Sequence, residues 1–183
     1  MRTLKVKTGC GSSFNFTPGW HTLTATKAQY GEWNGTKYID VWFQDYPESL
    51  NLRVYAKEGQ DGEEFAIGRL FRFANAGIME VAKSDNGEAI VKLNDDATAL
   101  IGKEMNVFFY KDGDYYRILG NTAPTVFENE LESFKESDIL YWKSTAEKYY
   151  NNYVADNHTN GTTEFVASDN VTNKTTVSTD IPF

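Results

Sequence analysis

A mainly β domain with helices, its five strands rolled into a small barrel, is the fold class that the sequence predicts. Three observations carry it. Short segments between residues 20 and 57, and again between 105 and 119, alternate apolar and polar side chains. Turn pairs such as Asn34-Gly35 and Asp112-Gly113 separate them, and a stretch with helical spacing lies between the third strand and the later ones.

Taken in order, Trp20 to Gln29 sets Leu23 and Ala25 against Thr22, Thr24 and Thr26, the pattern of a half-buried strand. Gly31 to Gly35 reads as a turn. Thr36 to Tyr46 places Ile39, Val41 and Phe43 on one face and Tyr38, Asp40, Trp42, Gln44 and Tyr46 on the other, and Pro47 ends it. Ser49 to Lys57 points Leu50, Leu52, Val54 and Ala56 one way and Asn51, Arg53, Tyr55 and Lys57 the other. Asp61 with Glu64 has the spacing of a capping box, and Ile67, Leu70, Phe71, Ala74 and Ile78 then recur at helical spacing. From Ile78 to Ile101 the pattern is weak, with Asp85-Asn86-Gly87 as a turn between two short strands. Met105 to Lys111 and Asp114 to Leu119 form a hairpin. Asp138 is expected to cap a helix through Tyr153, with Ile139, Trp142, Ala146, Tyr149, Tyr150 and Tyr153 on one stripe, read as a face for core docking or a subunit contact, the alternative being that Tyr149, Tyr150 and Tyr153 form a second stacking surface. Three strands, a helix and then two strands is the order of an OB-fold, a five-stranded Greek-key barrel with a helix between strands three and four. The expected domains are an OB-fold-like unit over residues 1–125, a helical extension over 126–154 and a disordered acidic tail over 155–183. In the tail Asn, Thr, Ser, Gly and Asp replace apolar periodicity.

The 183 residues suit one domain of the usual ~150-residue size, and 15% of them are aromatic. A lone Cys10 excludes an intramolecular disulfide. With no apolar leader and no apolar run long enough to span a bilayer, the expected location is cytoplasmic. The sequons at Asn15, Asn34, Asn157, Asn160, Asn170 and Asn173 are then chance products of an Asn- and Thr-rich chain. The net charge of -8 argues against a generic polyanion binder, but its distribution does not. Residues 1–57 hold seven basic and four acidic side chains, a local +3, whereas residues 155–183 carry one lysine and four carboxylates, a local -3.

No metal or cofactor chemistry is expected. His21 and His158 lie far apart in sequence, Cys10 stands alone, and the acidic pairs Asp95-Asp96 and Asp112-Gly-Asp114 sit in turn contexts. No catalytic residues are assigned, and the chain is not expected to be an enzyme. What stands out is the face opposite the apolar one on the second and third strands. There Tyr38, Trp42, Arg53, Tyr55 and Lys57 alternate rings with cations, with Trp33 and Lys37 near the connecting turn. Unpaired bases present π-faces and their phosphates seek positive donors, so these seven residues are the candidate nucleic-acid site. The competing reading of the same rings is packing beneath another segment.

The chain ends Asp180-Ile181-Pro182-Phe183, an acidic stretch closing on an apolar hook. These four residues resemble the end of the bacterial single-stranded DNA-binding protein tail, whose aspartate run is here reduced to Asp180. Residues 15–125 resemble phage-encoded single-stranded DNA-binding domains in their Gly-Trp-His-Thr-Leu opening, in Gly35 before Tyr38-Ile39, and in Leu100-Ile101-Gly102-Lys103 before a hairpin. The resemblance implies a phage replication or recombination protein in the cytoplasm of a bacterial host. It would coat single-stranded DNA without sequence preference and recruit replication or repair proteins through Asp180, Ile181, Pro182 and Phe183. A homo-oligomer is compatible with this reading. The alternatives are a structural or adaptor β-domain of a virion and a small hydrolase with a carboxylate site.

Overall fold

In the computed structural model, which describes residues 16–60, 62–83, 89–129 and 132–155, the alternating segments become strands close to where their patterns place them. The first, β1 (Gly19–Trp33), is longer than expected and serves two partners. Its first half pairs antiparallel with β6 (Glu104–Asp112), and its second half with β2 (Thr36–Phe43). A bulge between Ala25 and Lys27 marks the change, as expected where a strand must bend to lie in both ladders. Trp33 and Thr36 pair across a two-residue turn, with Asn34 and Gly35 at φ 49° and 78°. Both values lie in the left-handed region that Asn-Gly supplies at low cost.

β2 pairs with β3 (Leu52–Tyr55), and β6 with β7 (Tyr115–Ile118) through the Gly113-Asp114 turn. The result is one antiparallel sheet in the order β3-β2-β1-β6-β7. It corrects the expected barrel, because the sheet does not close. β3 and β7 are only four residues each. Beyond β7 the chain stays on the edge of β6: Leu119 N–H donates to the Phe108 carbonyl at 2.9 Å, and Asn106 and Ala123 exchange two backbone bonds of 3.0 Å. At Gly120 this segment approaches β3 so closely that a Cβ there would lie 3.0 Å from the Arg53 carbonyl oxygen.

Ile39, Val41, Phe43, Leu52, Val54, Met105, Val107 and Phe109 fill the inner face, as their alternation requires. Against them packs α1 (Ala66–Phe73), burying Ile67, Leu70 and Phe71. The helix is shorter than its spacing predicts, and Ile78 does not belong to it. It ends in a Schellman motif, with Asn75 at φ 49° and the Ala76 N–H donating to the Phe71 carbonyl at 2.9 Å. Its start also differs. Asp61 lies outside the described residues, and the cap is Glu64, whose carboxylate accepts from the N–H groups of Ala66, Ile67 and Gly68 at 2.8, 2.8 and 3.1 Å. Three orphan donors thus depend on one side chain. Glu64→Ala should therefore cost about 1–2 kcal/mol, a typical loss for a cap, measured by urea denaturation. An unchanged midpoint would contradict this role.

A separate hairpin, β4 (Ile78–Lys83) with β5 (Ala89–Leu93), follows. It realises the expected two short strands, with the Asp85-Asn86-Gly87 turn outside the described residues. A 3-10 turn at Ala97–Leu100 is capped by Asp96, which accepts from the Thr98 N–H and hydroxyl at 2.9 and 2.7 Å. These bonds to its charged form hold the Asp96 carboxyl below its usual range. The Asp95-Asp96 pair is in this respect a turn device.

The carboxy-terminal part contributes a small ribbon, β8 (Phe127–Glu128) with β9 (Ser133–Phe134), and then α2 (Glu136–Tyr149), continued as a π-helical turn over Tyr150–Ala155. Asp138 is not the N-cap. It lies one turn inside, where its carboxylate accepts from the Lys135 N–H at 2.8 Å. The segment is built onto the sheet. Phe73 of α1, fully buried, meets Phe134 and Trp142 at centroid distances of 5.7 and 4.9 Å. Asn106, also buried, accepts from the Thr22 hydroxyl at 2.8 Å and donates to the Pro124 carbonyl at 2.7 Å. The tail from residue 156, with Asp180, Ile181, Pro182 and Phe183, lies outside the described residues.

Candidate nucleic-acid interface

Strand register decides which of the predicted residues meet. Tyr38 stands opposite Tyr55, and Asp40 opposite Arg53. On the outward face the two tyrosines pack edge-on at 5.6 Å, and the Arg53 guanidinium lies 4.0 Å from the centre of the Tyr38 ring. Arg53 donates two bonds, of 2.8 and 2.7 Å, to the carboxylate of Asp40, which is only 7% exposed. These bonds raise the guanidinium's pKa further, so it is permanently charged but shares its charge with a fixed partner. The Tyr38 ring also covers Gly31, where any side chain would collide with it. A ring laid over a strand glycine restores the packing that the glycine lacks. Tyr38, Arg53 and Tyr55 form one preorganised surface, with Tyr55 38% exposed at its edge.

The other four predicted residues are dispersed around it. Trp33, 63% exposed, stands at the tip of the β1–β2 hairpin. Lys37 is paired across the ladder with Glu32, in a shallow recess that also contains Asp95, surroundings that work against a phosphate. Trp42 lies four residues beyond Tyr38, about 13 Å at ~3.3 Å per residue. Its indole N–H donates to the Glu48 carbonyl at 3.0 Å, and the Lys27 ammonium sits 4.4 Å from its ring. That cation–π pair is absent from the sequence-based set, because Lys27 belongs to a different strand. Lys57 lies beyond the end of β3 and turns towards α2, its ammonium 5.5 Å from the Tyr149 ring.

Rings left unassigned by the sequence have structural partners. Trp20 packs on Phe108 at 5.4 Å and donates to the Glu147 carboxylate at 2.6 Å. Phe108 and Tyr110 each meet Tyr150 at 5.3 Å. They fasten α2 and its π-helical turn to the outside of β1 and β6 through Glu147 and Tyr150, whereas Tyr153 of the expected stripe is 62% exposed. Tyr30 likewise anchors a loop, donating to the Asp95 carbonyl at 2.9 Å. Burial, with the carboxylates of Asp95, Glu64 and Asp96, pushes its phenol up to about 12, so it remains a neutral donor.

Where the barrel fails to close, the seam between β3 and β7 opens into a groove of about 1290 Å³, flanked by α1 and α2. Arg53, Tyr55 and Lys57 line it, whereas Trp33, Lys37, Tyr38 and Trp42 do not. Arg69 of α1 and Trp142 and Tyr149 of α2 line it as well. The sequence-based set left these three out: Arg69 and Trp142 belong to helices read as core elements, and Tyr149 entered only through the less favoured reading of the last helix's tyrosines as a second stacking surface. The signal for Arg69 was present: a cation next to Leu70 on a short amphipathic helix must lie at the rim of the buried face. Asp114 is the one carboxylate lining the groove among the described residues. Also among them, no three His, Cys, Asp or Glu side chains gather to hold a metal, and no helix is long and apolar enough to cross a membrane. No protein-family model, curated protein or solved structure matches the chain.

Proposed function

We propose that this protein binds single-stranded DNA with little sequence preference, protecting it during phage replication or recombination. The observation that carries the proposal is the outward surface of Tyr38, Arg53 and Tyr55, in which two rings and a fixed guanidinium are held ready by strand register. Ring faces stack on any base, and a guanidinium meets any phosphate, so such a surface selects unpaired strands without reading their sequence. The strand order, with α1 between the third and later strands, supports an OB-fold whose last seam is left unpaired. Asp180, Ile181, Pro182 and Phe183 are proposed to recruit a replication or repair protein, the apolar end filling a pocket on that partner.

The test is a titration with oligo(dT), followed by tryptophan fluorescence at two salt concentrations. The expected result is quenching, with affinity falling as salt rises and much weaker binding of duplex. Absence of quenching at saturating oligo(dT) in low salt, together with no gel shift, would overturn the proposal. Deleting residues 180–183 should leave oligo(dT) affinity intact and remove a partner from pull-downs of host extract. An unchanged set of captured proteins would refute the recruiting role.

A further inference from the structure

The outward surface of β2 and β3 does not account for the groove beside it. Arg69 projects there from α1 with its guanidinium 5.4 Å from the Phe65 ring and 5.6 Å from the Trp142 ring. It forms no ion pair with a described residue. The nearby charges are Arg72, which repels it and is itself bonded to Glu132 at 2.7 Å, and Glu64, whose oxygens are committed to the start of α1. Leaving a half-buried guanidinium facing rings without a carboxylate is costly, and an anion entering the groove removes that cost. The same arrangement recurs along α2, where Lys57, also without an ion pair among the described residues, faces Tyr149. Trp142 and Tyr149 are two helical turns apart, about 10.5 Å at ~1.5 Å per residue. At the ~3.4 Å rise of a stacked strand this is the length of three nucleotides. The volume of about 1290 Å³ also exceeds the ~300–1,000 Å³ of a small-molecule pocket.

We infer that the groove between β3 and α2 is a second part of the DNA path, holding about three nucleotides with phosphates at Arg69 and Lys57 and bases against Trp142 and Tyr149. The inference rests on the single-strand reading and extends it from the sheet surface to the helix. Arg53 and Tyr55 line both regions, so the strand passes from one to the other without a gap.

The test uses the full chain with two probes, 5′-phosphorylated (dT)3 and a long oligo(dT), and compares the parent with Arg69→Gln, Arg69→Lys and Trp142→Phe. The parent should bind (dT)3 with quenching that Trp142→Phe largely removes. Arg69→Gln should weaken (dT)3 binding at least tenfold and lower the salt slope for the long oligomer by about one, while Arg69→Lys should keep the slope. Far-UV circular dichroism checks that the variants fold; if glutamine is not tolerated, the (dT)3 arm decides, and (dT)3 quenching that persists unchanged in Trp142→Phe overturns the inference. If long oligo(dT) binds the parent and both Arg69 variants alike, with the same slope, the groove inference is overturned and the single-strand proposal stands. If neither probe binds the parent, both fall.

Discussion

Replacing Tyr38 or Tyr55 by alanine should each lower oligo(dT) affinity by about 1–3 kcal/mol, roughly 5- to 150-fold, the usual loss when one base loses its stacking partner. The two rings touch at 5.6 Å, so the losses should not add. Tyr38→Ala has a second consequence. Its ring covers the Arg53 guanidinium at 4.0 Å, and without it Arg53 is more accessible to a phosphate, offsetting part of the stacking loss. Tyr55→Ala has no such compensation and should be the more damaging of the two. Phenylalanine at either position should bind like the parent, because stacking uses the ring face and not the hydroxyl. Fluorescence titration at fixed salt measures all four variants. A folded Tyr55→Ala protein with parental affinity would remove the sheet surface from the DNA path.

Phe73→Ala should destabilise the protein by about 3–5 kcal/mol, the range for an aromatic ring removed from a packed core. Phe73 is fully buried and is the ring of α1 on which Phe134 and Trp142 both pack. Its loss therefore opens a cavity at the junction between the sheet domain and the carboxy-terminal helix. Urea denaturation followed by circular dichroism gives the magnitude, and a loss below about 1 kcal/mol would show that the junction collapses to fill the space. Trp142 also lines the groove, so the fluorescence of this residue should change even under conditions where Phe73→Ala remains folded.

Alternation alone made the inner face of β2 and β3 legible: Ile39, Val41, Phe43, Leu52 and Val54 could share a core only as strands, and Tyr38, Arg53 and Tyr55 were then bound to share the opposite face. The Asn34-Gly35 turn was legible for a similar reason, since its two positive φ angles favour that dipeptide. Local chemistry of this kind operates within a few residues and leaves its mark in the sequence. Closure of the barrel does not. It depended on whether residues 119–123 would bond to β3 or stay with β6; they stay with β6, where Asn106 exchanges backbone bonds with Ala123 and its side chain bonds Thr22 and Pro124. The groove follows from that choice. Arg69, Trp142 and Tyr149 are brought to it by two helices far apart in the chain, and Asp40 takes up Arg53 across a strand pair. Such contacts join residues with no fixed spacing, so only the tertiary structure decided them.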